Sequence, residues 1–500
     1  MRTIPRVIRR SVPAYVVSRD CDCACAVSNP SELLKSTQSF ALPNLVKKSP
    51  GIQVRQLSDE NRLVFLSSRL GVSDSISVLN RPAWEILTHY QFPRSTALNL
   101  GDFSWHRSVF EATVMNLLEL GFLMPFPPRK IQVVESPDVL PVWLHVTDRC
   151  NLRCDYCYLS HANTDMSLAT GHAAIDATFR SALTHGYRVV RIKYAGGEPL
   201  LRFSLVVELH RYAQSLAQQH GITLDGVILS NGTLLTADTV KRMQAEGLRL
   251  MISLDGLKTY HDNQRHFPDG CGSFDSVVHA IDMALVGDLV PDISITVSGR
   301  NAVGLSDVVA WVLERELPFS LNFYRQNKCS ISQHDLRLEE DLIIAGMLNA
   351  YKVIENNLPQ RSLLASLADR ANLSFPHLRA CSAGKDYLAF DTQGRVAKCQ
   401  MALTQSITDC YHQDPLSAIR NSEVGLRNLS VDDKSECQKC EWRYWCGGGC
   451  PLETYRVSGR YDMKSPNCNI YKALYPEIVR LEGLRLLKYA DGDVDNNYHL

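Results

Sequence analysis

The sequence shows neither an excess of charge nor a long apolar run. Its 53 basic residues balance its 53 acidic residues, and its pI is about 7.2. Balanced charge gives no bulk electrostatic reason to bind nucleic acid or an anionic membrane surface, so neither is expected as a partner. No apolar stretch approaches the ~20 residues that a membrane-spanning helix requires. The sequence therefore predicts no membrane span.

A secretory signal is also missing. The first ten residues are basic, but serine, proline and arginine follow where a signal peptide would continue with an apolar segment. We therefore expect a cytoplasmic protein. Because disulfides are rare in the cytosol, the 16 cysteines of this chain indicate metal binding. Its 500 residues are too many for one ordinary core and predict two to four domains.

Three cysteines stand close together in the sequence: Cys150, Cys154 and Cys157, spaced C-x3-C-x2-C. At this cysteine content the triplet would arise by chance in about 0.01 of such chains. Thiolates are soft donors that suit iron–sulfur clusters, and a cluster held only by protein takes four of them. The triplet supplies three, which leaves one iron without a protein ligand. A structural zinc site is the alternative, but no fourth Cys or His follows at a suitable spacing.

With Tyr156 directly before its third cysteine, the triplet resembles the signature of the radical S-adenosylmethionine (SAM) superfamily. The resemblance implies a [4Fe-4S] cluster whose open iron chelates the amino and carboxylate groups of SAM. It also implies that one electron from the cluster splits the sulfonium of SAM and releases a 5′-deoxyadenosyl radical.

Between residues 138 and 330, strand patterns alternate with amphipathic helical patterns. Repeated strand–helix units predict an α/β fold with a parallel sheet and right-handed crossovers, whose site lies at the carboxyl ends of the strands. The cysteine triplet follows the first strand, and six such units match the partial (β/α)6 TIM-like barrel of the radical SAM fold. Ser273 is the expected N-cap of one of the helices. The strands are predicted at 142–146, 191–194, 226–229, 248–253, 293–297 and 319–324.

Small and polar residues follow the later strands. Gly196 and Gly197 allow close approach of the backbone to a ligand, and Glu198 can accept a hydrogen bond from an ammonium group. The resemblance implies that this Gly-Gly-Glu-Pro run holds the amino group of SAM. The other residues expected to contact SAM are Tyr156, Ser230, Asn231, Ser253, Asp255 and Arg265.

A second group of cysteines lies between residues 375 and 475. Its central run, C-x2-C-x5-C-x3-C, would arise by chance in about 0.0005 of chains. A zinc ribbon is the alternative, because paired C-x2-C is its usual form. Together with the run 442–451, the order of seven cysteines resembles the SPASM domain of peptide-modifying radical SAM enzymes.

The SPASM resemblance implies two auxiliary iron–sulfur clusters. One would be held by Cys437, Cys440, Cys446 and Cys468. The other would be held by Cys381, Cys399 and Cys450 and lacks one ligand; Tyr387 stands near the place where some members have an eighth cysteine. Cys329 or Cys410 could supply that ligand, or the corner could be open to substrate, and the sequence does not decide between these.

Residues 51–130 read as a small α+β unit in which two short strands, at 63–66 and 75–79, precede two helical patterns. The unit resembles the winged-helix domain with which maturases of ribosomally made peptides hold a leader peptide. One of these strands is the expected sheet edge to which the leader adds. A plain structural appendage is the alternative.

The remaining segments carry less information. Residues 1–50 are expected to be flexible, with no specific role for Cys21, Cys23 and Cys25, although transient metal or peptide contact is the alternative. We expect a helical linker at 331–374 and a C-terminal tail at 476–500.

The two resemblances together imply a radical SAM/SPASM oxidoreductase that modifies a peptide or protein. The expected product is a thioether, carbon–carbon or carbon–oxygen cross-link, and the expected partners are a leader-bearing precursor peptide and an electron donor such as flavodoxin or ferredoxin. A maturase that oxidises Cys or Ser of a sulfatase to formylglycine is the alternative enzyme. A zinc-binding or iron–sulfur electron-transfer protein is the alternative without catalysis.

Overall fold

A computed structural model describes residues 4–9, 42–67, 76–97, 105–128, 138–369 and 371–490. Cys21, Cys23 and Cys25, for which no specific role is expected, lie outside the described residues. None of the described helices is long and apolar enough to span a membrane.

The N-terminal part contains two small antiparallel sheets and two helices. The strands β1, β5, β4 and β3 form the first sheet in that order, and β6, β2 and β7 form the second. Residues 1–50 were expected to be flexible, but they contribute β1 and β2. The elements are β1 Val7–Ile8, β2 Leu45–Lys48, β3 Gln53–Gln56, β4 Asn61–Phe65, β5 Ile76–Asn80, α1 Arg81–His89, β6 Arg94–Ser95, α2 Arg107–Glu119 and β7 Leu123–Pro125.

The sheet edge that was expected for leader binding lies elsewhere. Both predicted strands, β4 and β5, are interior, because β4 pairs with β3 and β5 while β5 pairs with β1 and β4. The sequence alone showed neither β1 nor β3, and these short flanking strands cover the predicted edges. An edge of this sheet is therefore β3, in which Val54 and Gln56 are exposed.

The middle of the chain forms the predicted partial barrel. Six parallel strands, β8 to β13, lie side by side in chain order, and each of the six predicted strands falls within or overlaps one of them. The elements are β8 Val139–Thr147, α3 Leu168–His185, β9 Val189–Gly196, α4 Phe203–His220, β10 Thr223–Ser230, α5 Ala237–Ala245, β11 Arg249–Ser253, α6 Thr259–Asp262, α7 Phe274–Val286, β12 Asp292–Val297, α8 Leu305–Glu314 and β13 Phe319–Phe323.

Helix ends in the barrel follow ordinary capping chemistry, with one exception to our prediction. Ser167 caps α3 by accepting from the N–H of Thr170, and Gly186 ends that helix in the left-handed conformation. Ser273 precedes α7 as predicted, but its hydroxyl donates to the carbonyl of Arg265 and does not cap the helix. The carboxylate of Asp262 accepts from the N–H of Phe274 in its place.

The C-terminal part continues the barrel sheet. Strand β14 pairs in parallel with β8, and the antiparallel β15 and β16 extend the sheet beyond it. The domain boundary expected at 475–476 falls inside α13, which runs through Pro476 because one of its faces is buried in the core. The elements are α9 Glu340–Asn356, β14 Leu388–Phe390, β15 Arg395–Ala397, β16 Ser406–Asp409, α10 Pro415–Asn421, α11 Arg443–Cys446, α12 Pro451–Ser458 and α13 Cys468–Lys488.

The N-terminal part shares its core with the rest of the protein. Alternate residues of β4 face opposite sides, as strand geometry requires. Val64 packs into the local core of the N-terminal sheets and helices, while Leu63 and Phe65 join the large core that contains the barrel helices. The ring of Phe65 stacks on Trp442 and Trp445 at centroid distances of 5.7 and 6.0 Å. The N-terminal part is therefore integrated with the C-terminal cysteine region.

Candidate functional site

The cysteine triplet lies on the loop that follows β8, at the carboxyl end of the barrel. The three side chains are partly buried and form no disulfide. The loop is fixed to a neighbouring segment because Arg153 N–H donates to the carbonyl of His266 at 2.8 Å and Asp155 N–H donates to the carbonyl of Gln264 at 3.0 Å. The triplet is thus presented by a firmly held loop at the predicted end of the sheet.

Each sulfur of the triplet faces one side-chain nitrogen. The Nδ2 of Asn231 lies 3.8 Å from Cys150 Sγ, an Nη of Arg265 lies 3.7 Å from Cys154 Sγ, and Nε2 of His161 lies 3.2 Å from Cys157 Sγ. Of these three nitrogen groups, His161 was not predicted. Its left-handed backbone, with φ of 54°, directs the imidazole back to the loop.

The raised pKa values of these thiols are those expected of metal-binding cysteines before a metal ion binds. Burial raises the pKa of Cys154 to about 12 and of Cys157 to about 11; the thiol of Cys150 also raises the pKa of both, and that of Cys157 raises the pKa of Cys154. Bound iron would lower these pKa values, because metal ions bind cysteine as the thiolate. Soft donors, nitrogen groups facing each sulfur and a partly buried loop therefore suit an iron–sulfur cluster.

The two glycines of the Gly-Gly-Glu-Pro run are required by contact with the cysteine loop. A Cβ on Gly196, whose φ is 142°, would overlap the carbonyl oxygen of Thr147, and one on Gly197 would overlap that of Arg149. Gly197 N–H and Glu198 N–H donate to those same carbonyls at 2.8 Å. The sequence predicted close approach of these glycines to a ligand, and in the structure their close neighbour is the segment that leads into the triplet.

The carboxylate of Glu198 joins the ends of two strands. It is fully buried and accepts from Leu200 N–H at 3.0 Å, Ser230 Oγ at 2.8 Å and Asn231 N–H at 2.7 Å. Burial outweighs these hydrogen bonds and raises the pKa of Glu198 to about 7. A carboxylate has about four acceptor positions, so one remains.

Asp255 connects the cysteine loop to the ends of β11 and β12. Its carboxylate accepts from Tyr156 Oη at 2.6 Å, Arg265 Nε at 2.7 Å and Thr296 N–H at 2.8 Å. The Arg265 guanidinium lies 5.2 Å from the centre of the Tyr156 ring, a cation–π distance. Arg265 was expected to contact SAM, and in this structure its guanidinium pairs with the carboxylate of Asp255.

The predicted SAM contacts therefore lie together at one end of the barrel, but most of their side chains bind each other. Ser230 bonds Glu198 and Gly232, and Asn231 bonds Asn151 and Thr233. Among the described residues, the hydroxyl of Ser253 at the end of β11 has no hydrogen-bond partner. The predicted set is largely the frame that holds the cysteine loop.

His145 is a buried polar residue that was not predicted to belong to the site. It lies on β8 two residues from Trp143, whose indole N–H donates to His145 Nε2 at 2.7 Å. Because indole can only donate, Nε2 is an acceptor and the proton of the neutral ring is on Nδ1. Burial lowers the pKa of His145 to about 4, so the ring is neutral at pH 7. Nδ1 is buried and has no partner among the described residues.

The polar residue within an otherwise apolar strand was the signal that could have revealed His145. Residues 142, 144 and 146 on β8 face the helices and belong to the large core. Trp143 and His145 alternate with them and face the opposite side, which is the barrel interior. His145 thus presents an unused N–H inside the barrel.

The first C-terminal cysteine group is gathered in space. Burial raises the pKa of Cys437 to about 12, with contributions from the nearby thiols of Cys446, Cys468 and Cys440. The hydroxyl of Tyr475 is buried beside the thiol of Cys446, to which it can donate. A buried donor beside four thiols suits a cluster that carries negative charge.

The second group, Cys381, Cys399 and Cys450, is buried in one apolar cluster. The same cluster includes Trp143 of β8 and Ala195 of β9, so these cysteines adjoin the barrel interior. Cys329 lies close enough to Cys157 to raise its pKa and therefore belongs near the triplet. Cys410 lies against Gly394 in the large core. Tyr387, near the missing position, donates to Gln400 at 2.9 Å, and the thiol of Cys399 faces the same oxygen.

Single-ion geometry is a separate question from cluster geometry. Within the described part of the chain, no three His, Cys, Asp or Glu side chains are arranged to hold one metal ion. An iron–sulfur cluster spaces its thiolates more widely than one ion does, because each thiolate binds a different iron.

Comparison with known proteins defines the class. Residues 144–288 match the family described as Radical SAM superfamily. The fold is that of anSMEcpe with bound AdoMet and Cp18Cys peptide, with a TM-score of 0.55, 17% identity, and coverage of 71% of this chain and 99% of that chain. The protein therefore carries a radical SAM domain, and the predicted α/β fold with a partial barrel is confirmed.

Two similar relatives come from Methanosarcina barkeri. The Fe-coproporphyrin III synthase is 27% identical over 384 residues, which is 69% of this chain and 91% of the relative. The AdoMet-dependent heme synthase is 24% identical over 368 residues, which is 68% of this chain and 99% of the relative. Radical SAM proteins bind a [4Fe-4S] cluster and SAM, so both predicted cofactors are confirmed, and the cysteine-rich C-terminal part is compatible with auxiliary clusters.

Proposed function

We propose that the protein is a peptide maturase that uses the radical SAM domain to cross-link a precursor peptide. The observation that carries the proposal is the position of the second cysteine group against the barrel interior through Trp143. A substrate held in the barrel would lie between the triplet, where hydrogen abstraction begins, and a second group that could accept the surplus electron as the new bond forms.

In this proposal Cys150, Cys154 and Cys157 hold the cluster that binds SAM. When bound, that cluster supplies one electron for cleavage of SAM to the 5′-deoxyadenosyl radical. Asn231, Arg265 and His161 each place a nitrogen at one of the sulfurs. Asp255 orients Arg265 and Tyr156, so the loop keeps its shape.

Glu198 and Ser253 are the proposed protein contacts of SAM. The fourth acceptor position of the Glu198 carboxylate is the one left for the amino group of SAM. The hydroxyl of Ser253 would bond an oxygen of the cofactor. The roles of Gly196 and Gly197 are to bring this segment against the cysteine loop.

The substrate contacts of the proposal are His145 and the edge strand β3. The Nδ1–H of His145 would donate to a peptide carbonyl inside the barrel. Within the described part of the chain, the outer side of β3 has no strand partner and offers backbone groups to a leader. Leu57 N–H bonds Asn61 O, so Arg55 and Gln53 form the next bonded pairs with β4 by strand alternation. The N–H groups of Val54 and Gln56 therefore point away from β4.

The experiment that tests the proposal uses short peptides encoded beside the gene. Each is incubated anaerobically with the reconstituted protein, SAM and a reductant, and its mass is measured. A cross-link removes two hydrogen atoms and blocks fragmentation between the joined residues. An aldehyde that reacts with a hydrazine reagent would instead identify formylglycine.

A second candidate is the formation of a heme-type product. It is favoured by the similarity to the two Methanosarcina barkeri enzymes over two thirds of the chain. Iron coproporphyrin III serves as the probe, and a change in its mass and absorption spectrum with SAM consumption would favour this candidate over the peptide maturase.

A further inference from the structure

Lys434 is a buried lysine beside the C-terminal cysteines. Only 1% of its surface is exposed, and its ammonium donates to the carbonyl of Gly448 at 2.8 Å. Its own carbonyl accepts from Cys437 N–H at 3.0 Å. Lys434 is therefore bonded to both sides of the cysteine region, once through its backbone and once through its side chain.

The segment that Lys434 holds connects the two cysteine groups. Cys446 belongs to the first group and Cys450 to the second, and three glycines with φ of 58°, 81° and 69° lie between them. Three successive left-handed residues are accessible only to glycine at low cost. A Cβ on Gly448 would lie 2.8 Å from the ammonium nitrogen, so the turn also leaves room for the lysine.

The charge of Lys434 acts on both groups. It interacts with the thiols of Cys437 and Cys446 in the first group and with those of Cys450 and Cys381 in the second. Gly448 O is its one acceptor among the described residues, which leaves two of its three N–H bonds for other acceptors. A buried cation needs negative partners, and a thiolate-bound cluster on either side carries negative charge.

We propose that Lys434 is a positioning residue that raises the reduction potentials of both auxiliary clusters together, by placing one positive charge between them. A nearby cation stabilises the reduced, more negative state of each cluster. The inference rests on the proposed function, because it requires clusters at both C-terminal groups. One side chain would thus set the reduction potentials of two electron-accepting clusters.

The test measures potentials in protein that lacks the SAM cluster. In a background with Cys150, Cys154 and Cys157 changed to Ala, Lys434→Met and Lys434→Arg are compared by redox titration followed by electron paramagnetic resonance. Lys434→Met should lower each midpoint potential by about 59 mV. For a one-electron couple this is about a tenfold change in the ratio of oxidised to reduced cluster. Lys434→Arg keeps the positive charge, so both of its midpoint potentials should stay close to those of the background.

Lys439→Met is the matched control. It removes the same charge from the same cysteine loop, but Lys439 is exposed and its field is screened by solvent. Its potentials should stay near those of the background.

The outcomes separate this inference from the proposed function. Background protein with no iron at the C-terminal groups would refute the proposed auxiliary clusters and with them this role. With iron present, unchanged potentials in Lys434→Met, or a shift at one cluster alone, would overturn the role of Lys434. Loss of iron from both groups in Lys434→Met, with full iron in Lys434→Arg, would also overturn it, because the charge would then be needed to hold the clusters and not to set their potentials.

Discussion

Replacing Glu198 by Gln should weaken SAM binding and remove part of its pH dependence. The carboxylate is fully buried and accepts three hydrogen bonds from the protein, with one acceptor position left. A charge-assisted hydrogen bond contributes roughly 1.5–3 kcal/mol, which corresponds to a loss of about 10- to 150-fold in affinity. Gln also turns an NH2 group toward Asn231 N–H, which adds a cost in the same direction.

The pH dependence follows from the pKa of Glu198, which burial raises from 4.5 to about 7. Below this value the carboxyl is protonated and its proton competes with SAM, so affinity should rise with pH and level off above about 7. The folding stability of the unliganded protein changes with pH in the opposite direction to its SAM affinity. The folded state binds the proton more tightly than the unfolded state, so the free energy of unfolding falls by about 3 kcal/mol between pH 4.5 and 7.

Equilibrium dialysis with labelled SAM on the cluster-loaded protein, from pH 5.5 to 8.5, measures both effects. Iron content serves as the control, because Glu198→Gln leaves every cysteine in place. The difference between the two proteins isolates this carboxylate from the amino group of SAM, which also titrates. Equal affinity of Glu198→Gln and the native protein at pH 8, with the same pH profile, would refute the contact and leave Glu198 as a purely structural link.

Three further predictions concern other parts of the site. Val54→Pro removes an outward N–H from β3 without breaking a bond to β4. The Kd for a leader-bearing peptide should therefore rise about tenfold or more relative to Val54→Ala, while SAM cleavage without peptide is unchanged. Equal Kd values of the two variants would argue against leader binding at this edge. His145→Phe should raise KM for the peptide about tenfold with little change in the rate of uncoupled SAM cleavage, and a change in uncoupled cleavage alone would contradict a substrate contact. Tyr156→Phe removes the hydroxyl bound to Asp255 and should lower stability by roughly 1.5–3 kcal/mol, measured by thermal unfolding of the iron-loaded protein against the native protein; an unchanged melting temperature would contradict that value.

The barrel was predictable because its signals are local and repeated. Each strand pattern is a short apolar run with a helix after it, and the observed strands β8 to β13 match all six. The cysteine spacing predicts that the candidate site lies on the loop after β8, since three cysteines so close together after the first strand rarely arise by chance.

The misplaced features depend on contacts between distant parts of the chain. The edge prediction for β4 and β5 was wrong because β1 and β3 are short and weakly patterned. Ser273 has the residue type of an N-cap, but Arg265 offers its hydroxyl a carbonyl and Asp262 takes over the cap. No local pattern shows that the carboxylates of Glu198 and Asp255 are bonded within the protein.

The sequence also did not predict that the N-terminal part shares its core with the C-terminal cysteine region. This shared core limits which variants can test leader binding. Phe65 lies against Trp442 and Trp445 next to Cys446, so removing the first 130 residues would expose part of the common core. A substitution on the β3 edge keeps that core intact, so Val54→Pro tests leader binding without exposing the core.

SAM cleavage by the protein with and without its first three cluster cysteines is the decisive measurement. Native protein, reconstituted anaerobically, should carry about eight to twelve irons and release 5′-deoxyadenosine on reduction. Changing Cys150, Cys154 and Cys157 to Ala should remove about four irons and all 5′-deoxyadenosine, while iron at the C-terminal cysteines remains. Continued release of 5′-deoxyadenosine by the triple variant would contradict the assignment of the radical SAM site to this loop.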